Sequence, residues 1–546
     1  MEATSSDPGP MANGRDATFH GPCLCVRKRL DAFFSEAYNY AMENHLNQST
    51  DAGQGELPGR EICYRALLAR DTRFDGVFFT GVKSTGIYCR PVCSVKTPRE
   101  SSCTFYPNAA AAEAAGFRPC LRCRPELAPY ALQQNLAYAV WQRIAAGAMN
   151  TGDLESLADE VGLSSRQLRR VLLQHFGVTP VELAQTQRLL FAKKLLQETK
   201  LPMTDLAYAA GFGSLRRFNA LFVERYGLAP SAIRGQAGKD EKNGDALILR
   251  LAYRPPYNWS EILRYLGGRA IPGVEIANMD EQVYRRSVRV GDAEGWLQVR
   301  HLAAKQQLEL EVAPHLAKHL MALLARVRTQ FDLDANPEVI TAHLRQDPML
   351  ATHIDAVPGL RVPGSFDTFE LAIRAVLGQQ VSVAGATTLS GRMVERFGDK
   401  LATPFIGISH HFPRPEVLAA ASTSDIAQIG MPGTRANTII GLARFAAAGG
   451  LAIKPATSLQ QAVLQLRSVP GIGEWTAQYV ALRALRFPDA FPAGDLGLQK
   501  AAALAEPGPG AVRLTEKQLL ARAAGWSPWR GYAALILWNS LHYQKD

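Results

Sequence analysis

Apolar and polar positions follow two different periods along the chain, and the changes of period divide it. From about Ala131 to Arg234 apolar residues recur with the period of about 3.6 that amphipathic helices show. After the polar, Gly-rich stretch GQAGKDEKNG (Gly235 to Gly244), which reads as a linker, the period becomes two. LILRLAYR and QLELEV alternate as half-buried strands do, and this strand-rich block runs to about Val312. From Pro314 onward helices return, punctuated by Gly and Pro. Residues 1–60, rich in Gly, Pro, Ser and Asn, predict a poorly ordered extension, with LDAFFSEAYNYAM as a short helix and Cys23 and Cys25 as plain thiols. Within the first helical region LADEVGLSSRQLRR is echoed about fifty residues later by LAYAAGFGSLRRF, an internal duplication.

With 546 residues the chain exceeds one hydrophobic core, and roughly three to five domains are expected. A net charge of +10 suggests a polyanionic partner, nucleic acid or membrane surface. No apolar run is long enough for a membrane span, and the N-terminus lacks the basic start and apolar stretch of a secretory signal. The eight cysteines are sparse, and four fall in one tight pattern. Metal-bound thiolates in a reducing, cytoplasmic setting fit this better than a disulfide framework.

That pattern is Cys89, Cys93, Cys120 and Cys123, C-x3-C followed by C-x2-C. Each short spacing presents two sulfurs to one ion, and four thiolates satisfy tetrahedral zinc, so spacing alone reads as a structural staple. TGIYCRPVC followed by FYPNAAAAEAAGFRPCLRCRPE resembles the zinc module of Ada, the adaptive-response regulator of DNA alkylation. The resemblance implies that Cys89 is also a nucleophile, accepting a methyl group from a methylated DNA phosphate. It further implies backbone contacts from the positions of Thr85, Lys96 and Arg118; at Lys96 many family members carry Arg, whose bidentate fork a lysine lacks. Cys63 and Cys103 lie outside the pattern and read as small buried hydrophobes.

DLESLADEVGLSSRQLRRVLLQHFGVTP has the order of a helix-turn-helix: a short helix ending at Gly162, then a second capped by Ser164 or Ser165 and carrying Arg166, Arg169 and Arg170. The second copy places Arg216 and Arg217 after Gly213. For one copy a solvated basic face is an equal reading. Two copies joined by PVELAQTQRLLFAKKLLQ resemble the AraC-type DNA-binding domain, which implies two recognition helices in successive major grooves.

LRSVPGIGEWTAQYVALRAL places a turn, Pro470 to Gly473, between two helices; Gly471, Ile472 and Gly473 can bring backbone N–H groups up to a phosphate. With FPAGDLGLQK following, the segment resembles the helix-hairpin-helix DNA glycosylases. YRPPYNWSEILRYLGGRAIPGVE, SFDTFELAIRAVLGQQVSVAGA and WSPWRGYAALILW extend the likeness to AlkA over nearly all of residues 247–543. The resemblance implies that Asp495 is the catalytic carboxylate; without it, a helix cap is the plainer role for an Asp before LGLQK. It also implies a base pocket of Trp475, Tyr479 and Trp538, with Gln380 at the duplex-wedging position, where the family residue is apolar. In hairpin glycosylases that also nick the backbone a lysine occupies the position of Trp475, so the resemblance implies no Schiff base here and a monofunctional enzyme. AAALAEPGPGAVRLTEKQ departs from the family in length and reads as a loop.

The expected fold is multidomain and mostly α: an extension (1–60), a small α+β zinc module (61–127), an all-α tandem helix-turn-helix (131–235), a linker (236–246), a strand-rich α+β domain (247–330) and an all-α helix-hairpin-helix glycosylase domain (331–546). The expected ligands are one zinc ion and a monovalent cation at the hairpin. The expected partners are alkylated and promoter double-stranded DNA and RNA polymerase, with a monomeric chain and no membrane. A regulator whose glycosylase half binds DNA without catalysis is the alternative.

Overall fold

The computed structural model describes residues 57–128, 136–236, 246–454, 457–505 and 513–543. The helix expected in LDAFFSEAYNYAM, Cys23, Cys25 and most of the expected linker lie outside them. Residues 57–60 are described, and Arg60 already opens the helix Arg60–Ala69.

In the cysteine-bearing segment, Phe79–Val82, Ile87–Cys89 and Cys103–Tyr106 form an antiparallel sheet, and Arg118–Pro119 joins it parallel to Ile87–Cys89. The order is Cys103–Tyr106, Phe79–Val82, Ile87–Cys89, Arg118–Pro119. Asn108 caps the alanine-rich helix Ala109–Ala114 by accepting from Ala111 N–H. Cys63 and Cys103 are both fully buried, and burial pushes the Cys63 thiol up to about 11.

The duplicated helices follow their capping signals. Leu154–Val161 ends at Gly162 in the left-handed region, where glycine has no Cβ to clash. Ser164, rather than Ser165, caps Ser165–Phe176, in a reciprocal box with Gln167. The second pair is Met203–Ala209 and Leu215–Tyr226, the latter capped by Ser214. The 19-residue helix Pro180–Glu198 joins the pairs; at the helical rise it is about 28 Å long.

The strand-rich domain is one antiparallel sheet in the order Leu247–Ala252, Gln307–Val312, Ala293–Leu302, Val283–Val290, Glu275–Asn278. Its apolar face does not close on its own helices alone. Leu249, Val299 and Leu310 belong to the same buried cluster as Leu189 of the joining helix and Phe218 and Phe222 of the second helix-turn-helix. Two segments that the change of period separates thus share one core.

A second core holds the C-terminal helices, among them Thr368–Leu377, Glu474–Arg483 and Arg530–Tyr543. The expected long loop AAALAEPGPGAVRLTEKQ is helical at both ends: Leu496–Ala505 takes its first residues and Glu516–Ala523 its last, while 506–512 lie outside the described residues. Alanine-rich sequence favours helix, and Thr515 with Gln518 forms a capping box.

Candidate active sites and nucleic-acid interface

Strand pairing assembles the four cysteines. Cys89 ends its strand, Cys93 follows a turn closed by Cys93 N–H to Arg90 O at 3.1 Å, and Cys120 N–H donates to Tyr88 O at 3.0 Å. The four Sγ atoms lie within 4.8 Å of one another. Tetrahedral zinc with bonds of about 2.3 Å spaces its sulfurs by about 3.8 Å, so the set fits that ion, and an all-sulfur donor set favours it chemically. Hydrogen bonds among the four sulfurs hold the Cys120 thiol well below its usual range and push the Cys89 and Cys123 thiols well above theirs. Cys89, Cys93 and Cys120 are buried and Cys123 is half-buried. Thr85 and Arg118 are exposed on either side of the strand that leads to Cys89, joined through Arg118 N–H to Gly86 O at 2.9 Å; Lys96 is exposed beyond Cys93.

Arg166, Arg169 and Arg170 are exposed on the second helix of the first pair, and Arg216 and Arg217 at the start of the corresponding helix of the second. Leu168 and Leu172, or Phe218 and Phe222, turn inward between them.

The hairpin joins Leu459–Arg467 to Glu474–Arg483. Gly471 has φ +90°, and a Cβ there would lie 2.0 Å from Thr438 Oγ1, so both conformation and space demand glycine. Ile472 is buried, and Gly473 precedes the second helix with open space around it. Gln379 Nε2 donates to Gly471 O and to Thr476 Oγ1, each at 3.0 Å, tying the neighbouring loop to the hairpin. At that loop's tip Gln380 is exposed with φ +56°.

Asp495 does cap a helix, accepting from Leu498 N–H at 2.8 Å. It also accepts an indole N–H on each oxygen: Trp475 Nε1 to Oδ2 at 3.0 Å and Trp538 Nε1 to Oδ1 at 2.9 Å. Trp475 and Tyr479 lie nearly parallel, centroids 5.7 Å apart and planes 14° apart; Trp538 stands at 68° to Tyr479, 6.4 Å away. The four side chains named from the sequence therefore form one constellation. Two members were missed. Arg483 Nη1 donates to Tyr479 Oη at 2.6 Å and to Tyr265 Oη at 3.0 Å. Burial raises the Tyr479 phenol, but Arg483 and Arg269 outweigh it and bring it down to about 8. Arg483 was discoverable as the i+4 neighbour of Tyr479; Tyr265, from the helix Trp259–Gly267 of another domain, gave no signal.

A four-sulfur module, paired helix-turn-helix motifs and a hairpin with a tryptophan-bound carboxylate define a multidomain helix-hairpin-helix protein built to act on DNA. Residues 62–126 match the metal binding domain of Ada, 157–236 a helix-turn-helix domain, 248–367 the AlkA N-terminal domain, and 373–520 the HhH-GPD superfamily of base excision DNA repair proteins. The probable bifunctional transcriptional activator/DNA repair enzyme AlkA of Mycobacterium tuberculosis is 37% identical over 491 residues, 88% of this chain and 97% of that one. DNA-3-methyladenine glycosylase 2 of Escherichia coli is 36% identical over 296 residues, 54% of this chain and 98% of that one. The bifunctional transcriptional activator/DNA repair enzyme AdaA of Bacillus subtilis is 32% identical over 211 residues, 38% of this chain and 92% of that one. The chain belongs to the family of bifunctional AlkA-type transcriptional activator/DNA repair enzymes. Among the described residues no helix is long and apolar enough to cross a membrane.

Proposed function

We propose that the chain excises alkylated bases of the 3-methyladenine type from DNA and, as a second activity, takes methyl groups from DNA phosphotriesters to regulate transcription. The observation that carries the first activity is the Asp495 carboxylate held between two indole N–H groups beside an aromatic stack. A flipped base enters between aromatic faces, and a cationic alkylated base gains from their electron density. The C1′–N bond breaks with its electron pair leaving on the base. Asp495 stabilises the positive charge left on the sugar, and water adds at C1′, losing a proton to solvent, to give an abasic site. With tryptophan at position 475 no amine attacks the sugar, so the strand stays intact. Gly471, Ile472 and Gly473 anchor the backbone, where a monovalent cation on hairpin carbonyls would help, and Gln380 fills the gap in the duplex.

For the second activity, Cys89, Cys93, Cys120 and Cys123 would hold a zinc ion, whose contribution is to keep sulfur as thiolate at neutral pH. Cys89 Sγ attacks the methyl carbon. The C–O bond breaks, its electron pair restores the phosphodiester anion, and a thioether forms. With zinc held by four thiolates the formal charge there would be −2, and methylation of Cys89 would bring it to −1, weakening repulsion of DNA. Thr85, Lys96 and Arg118 contact the backbone, while Arg166, Arg169, Arg170, Arg216 and Arg217 face promoter DNA, from which the chain, as a monomer, recruits RNA polymerase.

The test is single-turnover release of 3-methyladenine from alkylated duplex by the wild type and by Asp495→Asn. Loss of the charge should slow release by about a hundredfold or more. Equal rates would leave a DNA-binding half without catalysis. In parallel, the Cys89 peptide should gain one methyl group after incubation with methylphosphotriester DNA.

A further inference from the structure

The four-cysteine module meets the glycosylase half at a short segment around Asp75. Arg90, the residue after Cys89, lies against the sulfur cluster. Its backbone N–H points at Cys123 Sγ, 3.4 Å away, and its Nη1 donates to Cys123 O at 3.1 Å. The rest of the same guanidinium grips Asp75, with Nε 2.8 Å from Oδ1 and Nη2 on Oδ2. From the opposite side comes Arg254, of the strand-rich domain. Its Nε and Nη2 donate to Asp75 O at 3.0 and 2.6 Å, and its Nη1 to Asp334 O at 2.6 Å. Two residues away, Arg73 O accepts from Asn336 Nδ2 at 3.3 Å, and Arg73 Nε lies 3.2 Å from Glu338 Oε2.

Asp75 and Arg254 are almost fully buried, at 5% and 2% exposure. A buried guanidinium must keep its acceptors, because losing them leaves a charge without solvent or partner. Arg254 takes two of its bonds from the far side of the seam, so undocking has a direct electrostatic cost. Arg254 also reaches inward: its carbonyl accepts from Arg361, which donates to Asp332 O at 3.3 Å. Asp332 Oδ2 accepts from Tyr532 Oη of the glycosylase domain at 2.9 Å. At the other end, the geometry of Arg90 depends on Cys89, Cys93 and Cys123, which bracket it.

We propose that residues 73–75 are a docking surface of the cysteine module for the glycosylase half, and that Arg90 ties the hold of that surface to the state of the four-cysteine centre. This rests on reading those cysteines as a zinc site. Loss of the ion removes the link that holds Cys89, Cys93 and Cys123 around Arg90, which frees Arg90 to shift and releases Asp75 from one side.

Hydrogen exchange of the full chain, read by mass spectrometry with zinc bound and after chelation, tests this. Chelation should speed exchange across residues 332–338 by about tenfold, the mark of a locally opened segment, while residues 496–505 stay within about twofold. Asp75→Asn keeps the carbonyl for Arg254 but loses the charge that Arg90 grips. It should bind zinc yet show the same exchange at 332–338 with and without the metal. A wild type that binds one zinc per chain but whose exchange at 332–338 ignores its removal overturns the docking surface as a relay. A chain that binds no zinc overturns the reading of the centre instead. If Asp75→Asn fails to fold, Asn336→Asp takes its place, because it keeps the helix cap on Val339 N–H and loses only the donor to Arg73 O; 332–338 should then exchange faster while still responding to zinc, and unchanged exchange there refutes the surface.

Discussion

Glu113 sits where the cysteine module meets the second helix-turn-helix, and replacing it by glutamine tests how that junction is held. Its side chain is wholly buried. Oε1 accepts from Tyr88 Oη at 3.0 Å and Oε2 from Thr186 Oγ1 at 3.0 Å, while Arg225 stands 3.5 Å from Oε2. Lys193 and Tyr226 are the remaining titratable groups that act on it. Burial raises its carboxyl from 4.5 to about 7, and Arg225, the next largest influence, only partly opposes this. The folded state therefore holds a proton that the unfolded chain has released between these values. The stability this contributes is complete below about 4.5 and is lost as pH rises through about 7. At about 1.4 kcal/mol per tenfold change in proton affinity, the loss comes to about 3 kcal/mol above neutrality. Glutamine keeps one hydroxyl on its Oε1 and, with the other turned to accept from Nε2, mimics the protonated acid without the proton equilibrium. Thermal melting of the full chain from pH 5 to 9 should find Glu113→Gln within about 1 kcal/mol of the wild type at pH 5 and more stable at pH 8, with a flatter profile. A variant less stable at pH 8 than at pH 5, relative to wild type, would mean that Glu113 is an ionised partner of Arg225 and would refute the burial argument.

Lys193 is buried and donates to Glu126 Oε2 at 2.7 Å and to Cys120 O at 3.1 Å; Lys193→Met should destabilise by about 3–5 kcal/mol in urea unfolding, because it leaves Glu126 short of a cation. Trp538→Phe keeps an aromatic wall but removes a donor to Asp495 Oδ1, and single-turnover base release should slow by about tenfold with little change in DNA affinity. Arg166→Ala should lower promoter affinity and reduce the slope of log affinity against log salt by about one if that side chain contacts a phosphate, measured by fluorescence anisotropy. Cys93→Ser should lower the metal content of the chain, read by elemental analysis, and lower the melting temperature of the module.

What was legible in the sequence is local. The cysteine pairs, the capped helices and the Pro-Gly-Ile-Gly turn each lie within a few dozen residues, and their chemistry follows from spacing. Asp495 shows why the rest was not. In GDLGLQK it reads as a cap, and it is one; the two indoles that give it a second role come from 20 residues before and 43 after. Glu113, in an alanine run, has the sequence of a solvated helix face, yet neighbouring modules enclose it. The shared core escaped for a similar reason. Alternation says that Leu249 and Leu310 point to one face, and helical spacing says the same of Phe218 and Phe222, but neither says that the two faces meet. Pairing of surfaces is a property of the whole chain.

Because the helix Leu215–Tyr226 rests on the same buried cluster as the sheet, its orientation is fixed in the frame of the repair half. Any turn of that helix is a turn of the sheet beneath it. The side chains of Phe218 and Phe222 seat the tandem helices on the sheet with no solvent layer between.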